Sequence, residues 1–315
     1  MLEALLGSTF TPAAVPIGRA PASRLPDVTG VQGNIKDAAV TMKNGQIYIA
    51  VGDSFRRYDP LTGITVGLTK FWGTITGGTL VTLPDRLLLL GGIVDGVGSN
   101  AVMAYNIQQG TWSTEALLTG MGSFFSEMPG VVVGDCVFLS SGRWVGGDGL
   151  YFISYNHVKK TLWRLGENVG GIPVSHASLV TDNQFIYKCG GLFTKSGVLP
   201  RGEIHKWTTN SAVSPIPAPS VVTIAPKVFS DTIAYYAGEK IVILGIYNAT
   251  TGVYEASRMV FDLITKEWSE VTIPNDPPFY GAVTCQDSQN LYSLFGSQPP
   301  AGPLNVEVYR IKLGN

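Results

Sequence analysis

Few side chains in this sequence have both the type and the spacing that catalysis requires. The three histidines, His157, His176 and His205, stand far apart and outside any HExxH or paired Cys/His pattern, so they predict no metal site. A serine nucleophile would need a G-x-S-x-G turn between a strand and a helix, and the sequence contains no such motif. The residues therefore predict no catalytic group, no metal ligand and no cofactor.

Carboxylates are the remaining candidates for catalysis, because a glycosidase needs two of them facing each other across the substrate. No motif singles out such a pair, so a sugar-active enzyme remains an alternative rather than the leading hypothesis. The candidate carboxylates are Asp53, Asp95, Asp148, Glu203 and Glu255.

The three cysteines, Cys136, Cys189 and Cys285, are an odd number at wide spacing, which fits neither a disulfide framework nor a CxxC metal knuckle. Each lies in an apolar, strand-like run. We therefore expect buried free thiols.

Composition limits the kinds of partner. The formal net charge is -1 and charged residues make up 14% of the chain, which gives no basic surface for a nucleic-acid backbone. The 38 glycines favour a sheet-rich protein with many tight turns. No apolar run approaches the roughly 18 to 20 residues that span a bilayer, and the first residues do not resemble a signal peptide. We expect no membrane insertion, and the compartment stays open: the protein is free in solution or bound in an assembly, a virion included.

Short apolar runs that end in glycine recur along the chain, for example IYIAVG, LLLLGG and IYKCGG. Each run is followed by a polar loop and then by a second strand-like run that contains an aromatic residue. Successive aromatic positions are 47 to 54 residues apart. The six aromatic residues are Tyr58, Tyr105, Tyr155, Trp207, Phe261 and Tyr309.

From about Lys36 to the end, this pattern of apolar strand, double glycine, Tyr and Trp resembles the Kelch repeat. The resemblance implies an all-β fold, a six-bladed Kelch-type β-propeller with four short strands in each blade. Only the second and fourth copies carry the full double glycine. We expect these glycines to adopt positive φ and to let backbones approach closely.

The sixth copy has only three strand-like segments before the chain stops, which would leave an unpaired edge. We therefore predict that residues 20–25 form the missing strand, pair with residues 306–312 and close the ring. Residues 20–315 then form one propeller domain and residues 1–19 an N-terminal arm. Leu2, Leu5 and Leu6 make this arm a candidate for docking into a larger assembly.

The loops that follow the second strand of each copy differ in length and composition, as binding loops on a rigid scaffold do. They contain residue types that are common in interaction hot spots. The predicted partner-binding residues of this loop face are Arg143, Trp144, Lys195, Arg201, Tyr247, Tyr254 and Arg258. Aromatic residues also recur just before the inner strands, among them Phe71, Trp72, Phe229 and Phe279; this recurrence favours packing between blades over a sugar-binding ring.

The leading hypothesis is a non-catalytic protein-interaction or structural module, such as a subunit of a viral or bacteriophage particle. Its partners would be proteins, bound through the loop face and the arm. Two alternatives stay open. One is a sugar-active enzyme of the mutarotase or epimerase kind, using the central pocket. The other is a propeller that binds carbohydrate through the loop face.

Overall fold

All regular structure in the described part of the chain is β-strand, which confirms the predicted all-β class. None of these residues forms a helix long and apolar enough to cross a membrane. The computed structural model describes Gly18 and residues 20–31, 38–118, 125–126, 128–140, 143–144, 147–148, 152–165, 177–193, 199–209, 220–248, 251, 253–274, 276–277, 279, 282–295 and 306–313.

The strands form antiparallel meanders of four, which we number from one to six along the chain. After an N-terminal strand β1 (Ala22–Leu25), the first meander comprises β2 (Ala39–Lys43), β3 (Gln46–Val51), β4 (Ser54–Tyr58) and β5 (Thr65–Gly67). The second region comprises β6 (Ile75–Thr76), β7 (Thr79–Thr82), β8 (Arg86–Leu90), β9 (Ile93–Val94), β10 (Val97–Gly98), β11 (Ala101–Asn106) and β12 (Thr111–Leu117). Its meander is β7-β8-β11-β12, and the strands β6, β9 and β10 form a small sheet of their own.

The third region repeats this plan. It comprises β13 (Phe125–Ser126), β14 (Gly130–Val133), β15 (Cys136–Ser140), β16 (Arg143–Trp144), β17 (Gly147–Asp148), β18 (Phe152–Asn156) and β19 (Thr161–Leu165). The meander is β14-β15-β18-β19, and β13, β16 and β17 form the small sheet.

The fourth and fifth meanders share a strand. Their strands are β20 (Ser178–Thr181), β21 (Phe185–Cys189), β22 (Leu192–Phe193), β23 (Leu199–Thr208), β24 (Ser220–Ala237), β25 (Lys240–Asn248), β26 (Val253–Glu255), β27 (Ser257–Asp262) and β28 (Trp268–Thr272). The first half of β24 pairs with β23 and the second half pairs with β25, so nine strands join in one sheet. Register irregularities at Phe229/Ile233 mark the passage from one meander to the next.

The two ends of the chain meet in the sixth meander, β29 (Val283–Gln286), β30 (Asn290–Leu294), β31 (Val308–Lys312) and β1. β1 pairs antiparallel with β31, with Ala22 opposite Ile311 and Leu25 opposite Val308. The predicted pairing between the two ends is confirmed, because the outer edge of β31 needed a partner for its backbone groups.

The first strands of successive meanders contact one another: β29 contacts β2, β2 contacts β7, β7 contacts β14, β14 contacts β20, and β20 contacts β24. Hydroxyl groups join these neighbours. The hydroxyls of Thr41 and Thr82 are 2.9 Å apart, and the Ser178 hydroxyl accepts from the Ala234 amide at 3.2 Å. Small polar residues therefore let these strands crowd together while their side chains stay hydrogen-bonded.

Six apolar clusters fill the spaces between successive meanders. One cluster joins the second and third meanders through residues such as Leu88 and Val137, and another joins the third and fourth through Phe138 and Ile186. The series includes a cluster between the fifth and sixth meanders and one between the sixth and the first, which contains Leu294. Most residues of the second strands are apolar on both faces because each face meets a different cluster; Lys188 on β21 is an exception.

The double glycines have the conformations that the sequence predicts. Gly92 has φ of 85°, and a Cβ there would lie 2.9 Å from the backbone of Gly78. Gly190 has φ of 62°, and a Cβ there would clash with the ring of Phe229. Both the left-handed backbone and the close approach exclude larger residues at these positions.

Candidate functional site

Short hairpins extend the meanders at the connections between their second and third strands. We call them the rim: the sheets β6-β9-β10 and β13-β16-β17, the pairing of β22 with the start of β23, and the pairing of the end of β25 with β26. The rim is the part of the structure that carries the predicted loop face. It consists of paired, hydrogen-bonded strands.

Most of the predicted partner-binding residues that the structure describes have their backbone on the rim. Arg143 and Trp144 lie on β16, where Trp144 is opposite Phe125. The backbones of Tyr247 and Tyr254 are paired across β25 and β26. Arg201 lies on β23 opposite Phe229. Lys195 and the predicted docking leucines Leu2, Leu5 and Leu6 lie outside the described residues.

The prediction that Arg258 projects toward a partner is wrong. The residue is fully buried, at 0% exposure. Its Nε and Nη2 donate to the two carboxylate oxygens of Asp276, both at 2.7 Å. Its Nη1 donates to the carbonyls of Ala20 at 2.8 Å and Gly18 at 3.1 Å. Gly18, inside the predicted arm, is therefore already held by the folded domain. Sequence reasoning missed this role because the partners of Arg258 are distant in the chain.

The candidate carboxylates whose side chains the structure describes, Asp53, Asp95, Glu203 and Glu255, each have a different partner. Asp53 pairs with Lys70 at 2.7 Å, and Asp95 accepts from the Thr74 amide at 2.8 Å. Glu255 lies 2.7 Å from Lys227, which also bonds Glu270 at 2.6 Å. Within the described ranges, no group of three or more His, Cys, Asp or Glu side chains could hold a metal ion.

A polar cluster that the sequence did not single out lies between the third and fourth meanders. Lys188 and His205 are opposite each other on β21 and β23, and they are 4% and 7% exposed. The Nε2 of His205 is 3.4 Å from Glu203 Oε2, while its Nδ1 has no hydrogen-bond partner among the described residues. Burial lowers the pKa of Lys188 to about 8, against the opposing effect of Glu203. Burial, and then the charge of Lys188, also lower the pKa of His205.

The same pair of positions is apolar in three other meanders. The residues opposite each other there are Leu89 and Met103, Leu139 and Ile153, and Ile243 and Met259. The sequence contained this signal, since Lys188 interrupts IYKCGG where the second copy reads LLLLGG. A charged pair at a position that is apolar in three other meanders costs stability, which makes it a candidate for function.

Trp72 is an exposed aromatic residue beside the rim. It is 57% exposed, and its ring stacks on Phe71 with centroids 5.0 Å apart and an interplanar angle of 20°. Phe71 is buried and meets the edge of Trp112, whose Nε1 donates to the Thr69 carbonyl at 3.1 Å. The indole of Trp72 is therefore an exposed ring on a fixed support.

The other aromatic residues before the first strands that the structure describes with their side chains are buried. Phe71, Phe229 and Phe279 are 7%, 0% and 4% exposed. Packing between meanders is thus confirmed for these three, and Trp72 departs from the pattern. All three cysteines are free and buried, as predicted.

Comparison with known proteins adds the fold. No family model matches the sequence, and no curated protein matches it. The chain is similar to a solved structure titled "Structure of YjhT". The two superpose with a TM-score of 0.73 at 12% sequence identity, over 90% of this chain and 96% of that chain. At this identity the likeness shows a shared β-rich fold and carries no residue roles.

Proposed function

We propose that this chain is a six-bladed Kelch-type β-propeller that acts without catalysis, as a protein-interaction or structural module. Its contact surfaces would be the rim and the N-terminal arm. A particle such as a virion is an assembly in which a module of this kind could serve.

Two observations support the propeller arrangement. Six apolar clusters lie between successive meanders, and the series includes one between the sixth meander and the first. The first strands also contact their neighbours in chain order from β29 through β2 to β24. A radial arrangement accounts for both, because each meander then packs its two faces against two neighbours.

The functional proposal rests on a contrast between the core and the rim. In the core, charged side chains pair with each other, whereas the rim strands carry aromatic residues. Several buried or half-buried ion pairs hold the core together: Arg258 on β27 pairs with Asp276 in the segment after β28, and Arg86 on β8 pairs with Glu115 on β12 at 2.6 Å. The rim, by contrast, holds Trp144, Tyr247 and Tyr254 on paired strands. Aromatic residues on rigid hairpins suit recognition of a partner.

A second candidate function, a sugar-active enzyme, is supported by the cluster of Lys188, Glu203 and His205. Burial lowers the pKa values of Lys188 and His205, and buried groups with perturbed pKa values are typical of catalytic sites. The amine of Lys188 would need an open path to a substrate, and the described side chains bury it to 4% exposure. The non-catalytic module is therefore preferred.

The proposal is tested by the mass of the purified protein in solution, measured for the full chain and for a chain without the arm. We expect the full chain to assemble and a chain that begins at Gly18 to be monomeric, measured by sedimentation velocity. A chain with Val158 changed to Ala, exposed in the turn between β18 and β19, serves as the control. Equal masses for the full and shortened chains would count against the arm. Neighbouring genes for sugar breakdown, rather than for particle structure, would favour the enzyme.

A further inference from the structure

We infer that Trp72, together with Lys70 and Asp95, forms a subsite for the pyranose ring of a sugar. The inference rests on the proposed function only in taking the rim as a contact surface. It adds the chemical class of one ligand bound there.

Neighbouring aromatic side chains hold the indole of Trp72 in place. Phe71 stacks on the indole, and Trp72 as a whole remains 57% exposed. Phe71 is in turn held by Trp112, with ring centroids 5.5 Å apart at 81°. The position of the exposed ring is fixed before binding. Stacking of a ligand on it therefore costs little side-chain conformational entropy.

Hydrogen-bonding groups lie on the segments next to Trp72. Lys70, two residues before it, is 70% exposed at the side chain; one of its three donors is used by Asp53 at 2.7 Å. A Cβ on Gly73 would lie 2.8 Å from Asp95 Oδ2, so this carboxylate oxygen lies beside the residue that follows Trp72. The other oxygen of Asp95 accepts from the Thr74 amide at 2.8 Å, which orients the carboxylate.

An exposed indole with an ammonium group and a carboxylate nearby fits a sugar better than an apolar protein segment. A pyranose has a face of C–H groups that stacks on an indole and a periphery of hydroxyls that bond to ammonium and carboxylate groups. A protein hot spot needs apolar neighbours that exclude water around the aromatic residue. Close to Trp72 in the chain, Lys70 pairs with Asp53, and Asp95 lies beside Gly73, so charged groups accompany the apolar side chains of Phe71 and Val94.

The glycine at position 73 is consistent with this assignment. A side chain there would meet Val94 at 2.7 Å and the Asp95 carboxylate at 2.8 Å. The absence of a side chain thus keeps Asp95 close to the strand that follows Trp72. The strands β6 and β9 hold this arrangement, with Ile75 opposite Val94.

The test uses the full chain and a panel of methyl pyranosides, with saturation-transfer NMR for binding and titration calorimetry for affinity. We expect at least one pyranoside to bind, W72A to weaken it at least about tenfold, and W72Y to stay within about threefold of the parent. D95N, which keeps an oxygen for the Thr74 amide, should weaken binding by a smaller factor. V97A changes an exposed apolar residue of the same small sheet and should leave affinity unchanged.

Two results would overturn the subsite: no pyranoside bound by the parent chain, or binding that W72A leaves intact. A protein ligand lost in W72A without any sugar binding would also overturn it and assign the ring to a protein contact. The same NMR samples report on the proposed function separately. Accelerated exchange between anomers or epimers would refute the non-catalytic module, whatever W72A does to binding.

Discussion

At the scale of single residues, Lys188 is the side chain whose environment departs furthest from that of a surface lysine. Its pKa falls to about 8 because burial disfavours the charged amine. Relative to the ordinary value of 10.5, this corresponds to a cost of about 3 kcal/mol in the folded state at neutral pH. The protein therefore carries a buried charge that a leucine, as in the second and third meanders, would avoid.

We predict that K188M stabilises the protein at pH 7 by up to about 3 kcal/mol, because methionine has a similar volume and no charge to desolvate. The parent should gain stability as the pH rises from about 8 to 10.5, since over this range the unfolded chain binds more protons than the folded chain. K188M should lack that rise. Urea unfolding across this pH range measures both effects, with the exposed Lys159→Met as the control. Equal pH profiles for the parent and K188M would contradict the prediction.

Gly190 offers a second test at this scale, because its backbone and its surroundings both exclude a side chain. G190A should lose the roughly 1 to 2 kcal/mol of a left-handed alanine and more from the clash with Phe229. Gly45 has φ of 73° with nothing within 4 Å of a Cβ, so G45A should lose only the first contribution. The free energies of unfolding of the two variants, from thermal or urea unfolding, separate the cost of the left-handed backbone from the cost of the clash with Phe229. Equal losses would show that Phe229 moves aside.

At the scale of elements, the N-terminal segment is held by two kinds of bond. Its strand β1 pairs with β31, and the guanidinium of Arg258 binds the carbonyls of Gly18 and Ala20. Because Asp276 neutralises Arg258 within a buried site, each group depends on the other for its partner.

We predict that R258M destabilises the protein by about 3 to 5 kcal/mol, since it leaves the Asp276 carboxylate buried without a counter-charge. Amide exchange should rise in β1 before it rises in β25. K240M removes the partly exposed pair with Asp262 in the same meander and should cost no more than about 1 kcal/mol. A second change, D276L in the R258M background, should restore much of the loss. If R258M lost no more stability than K240M, the pair of Arg258 and Asp276 would not be coupled to the N-terminal segment.

At the scale of the whole molecule, β1 is the strand on which the meeting of the two chain ends depends. Removing residues 1–25 should expose the edge of β31, lower stability and promote aggregation, because an open edge pairs with other chains. Removing residues 1–17 keeps the contacts of Gly18 and should leave the stability of the domain unchanged. Light scattering and urea unfolding compare the two shortened chains. Similar behaviour of both would show that β1 contributes little to closure.

Much of the fold could be predicted because its causes are local in the sequence. The six repeated runs predicted the strands; the second copy, for example, predicted residues 86–90, and β8 is Arg86–Leu90. Less of the candidate site could be predicted. Residue types indicated Arg143, Trp144, Tyr247 and Tyr254, and the structure adds that their backbones lie on paired rim strands. Arg258 was wrong, because its burial depends on Asp276 and on a segment about 240 residues away in the chain.

The sequence by itself determined the all-β class, the positions of the double glycines and the need for β1 beside β31. These follow from alternation, φ preferences and unpaired backbone groups, which act within a strand or between obligatory neighbours. Only the tertiary structure decided that β24 runs through two meanders, that Lys188 and His205 are buried together, and that Trp72 stays exposed while Phe71 does not. Burial and exposure depend on what packs across a boundary between meanders, and neighbours there come from distant parts of the chain.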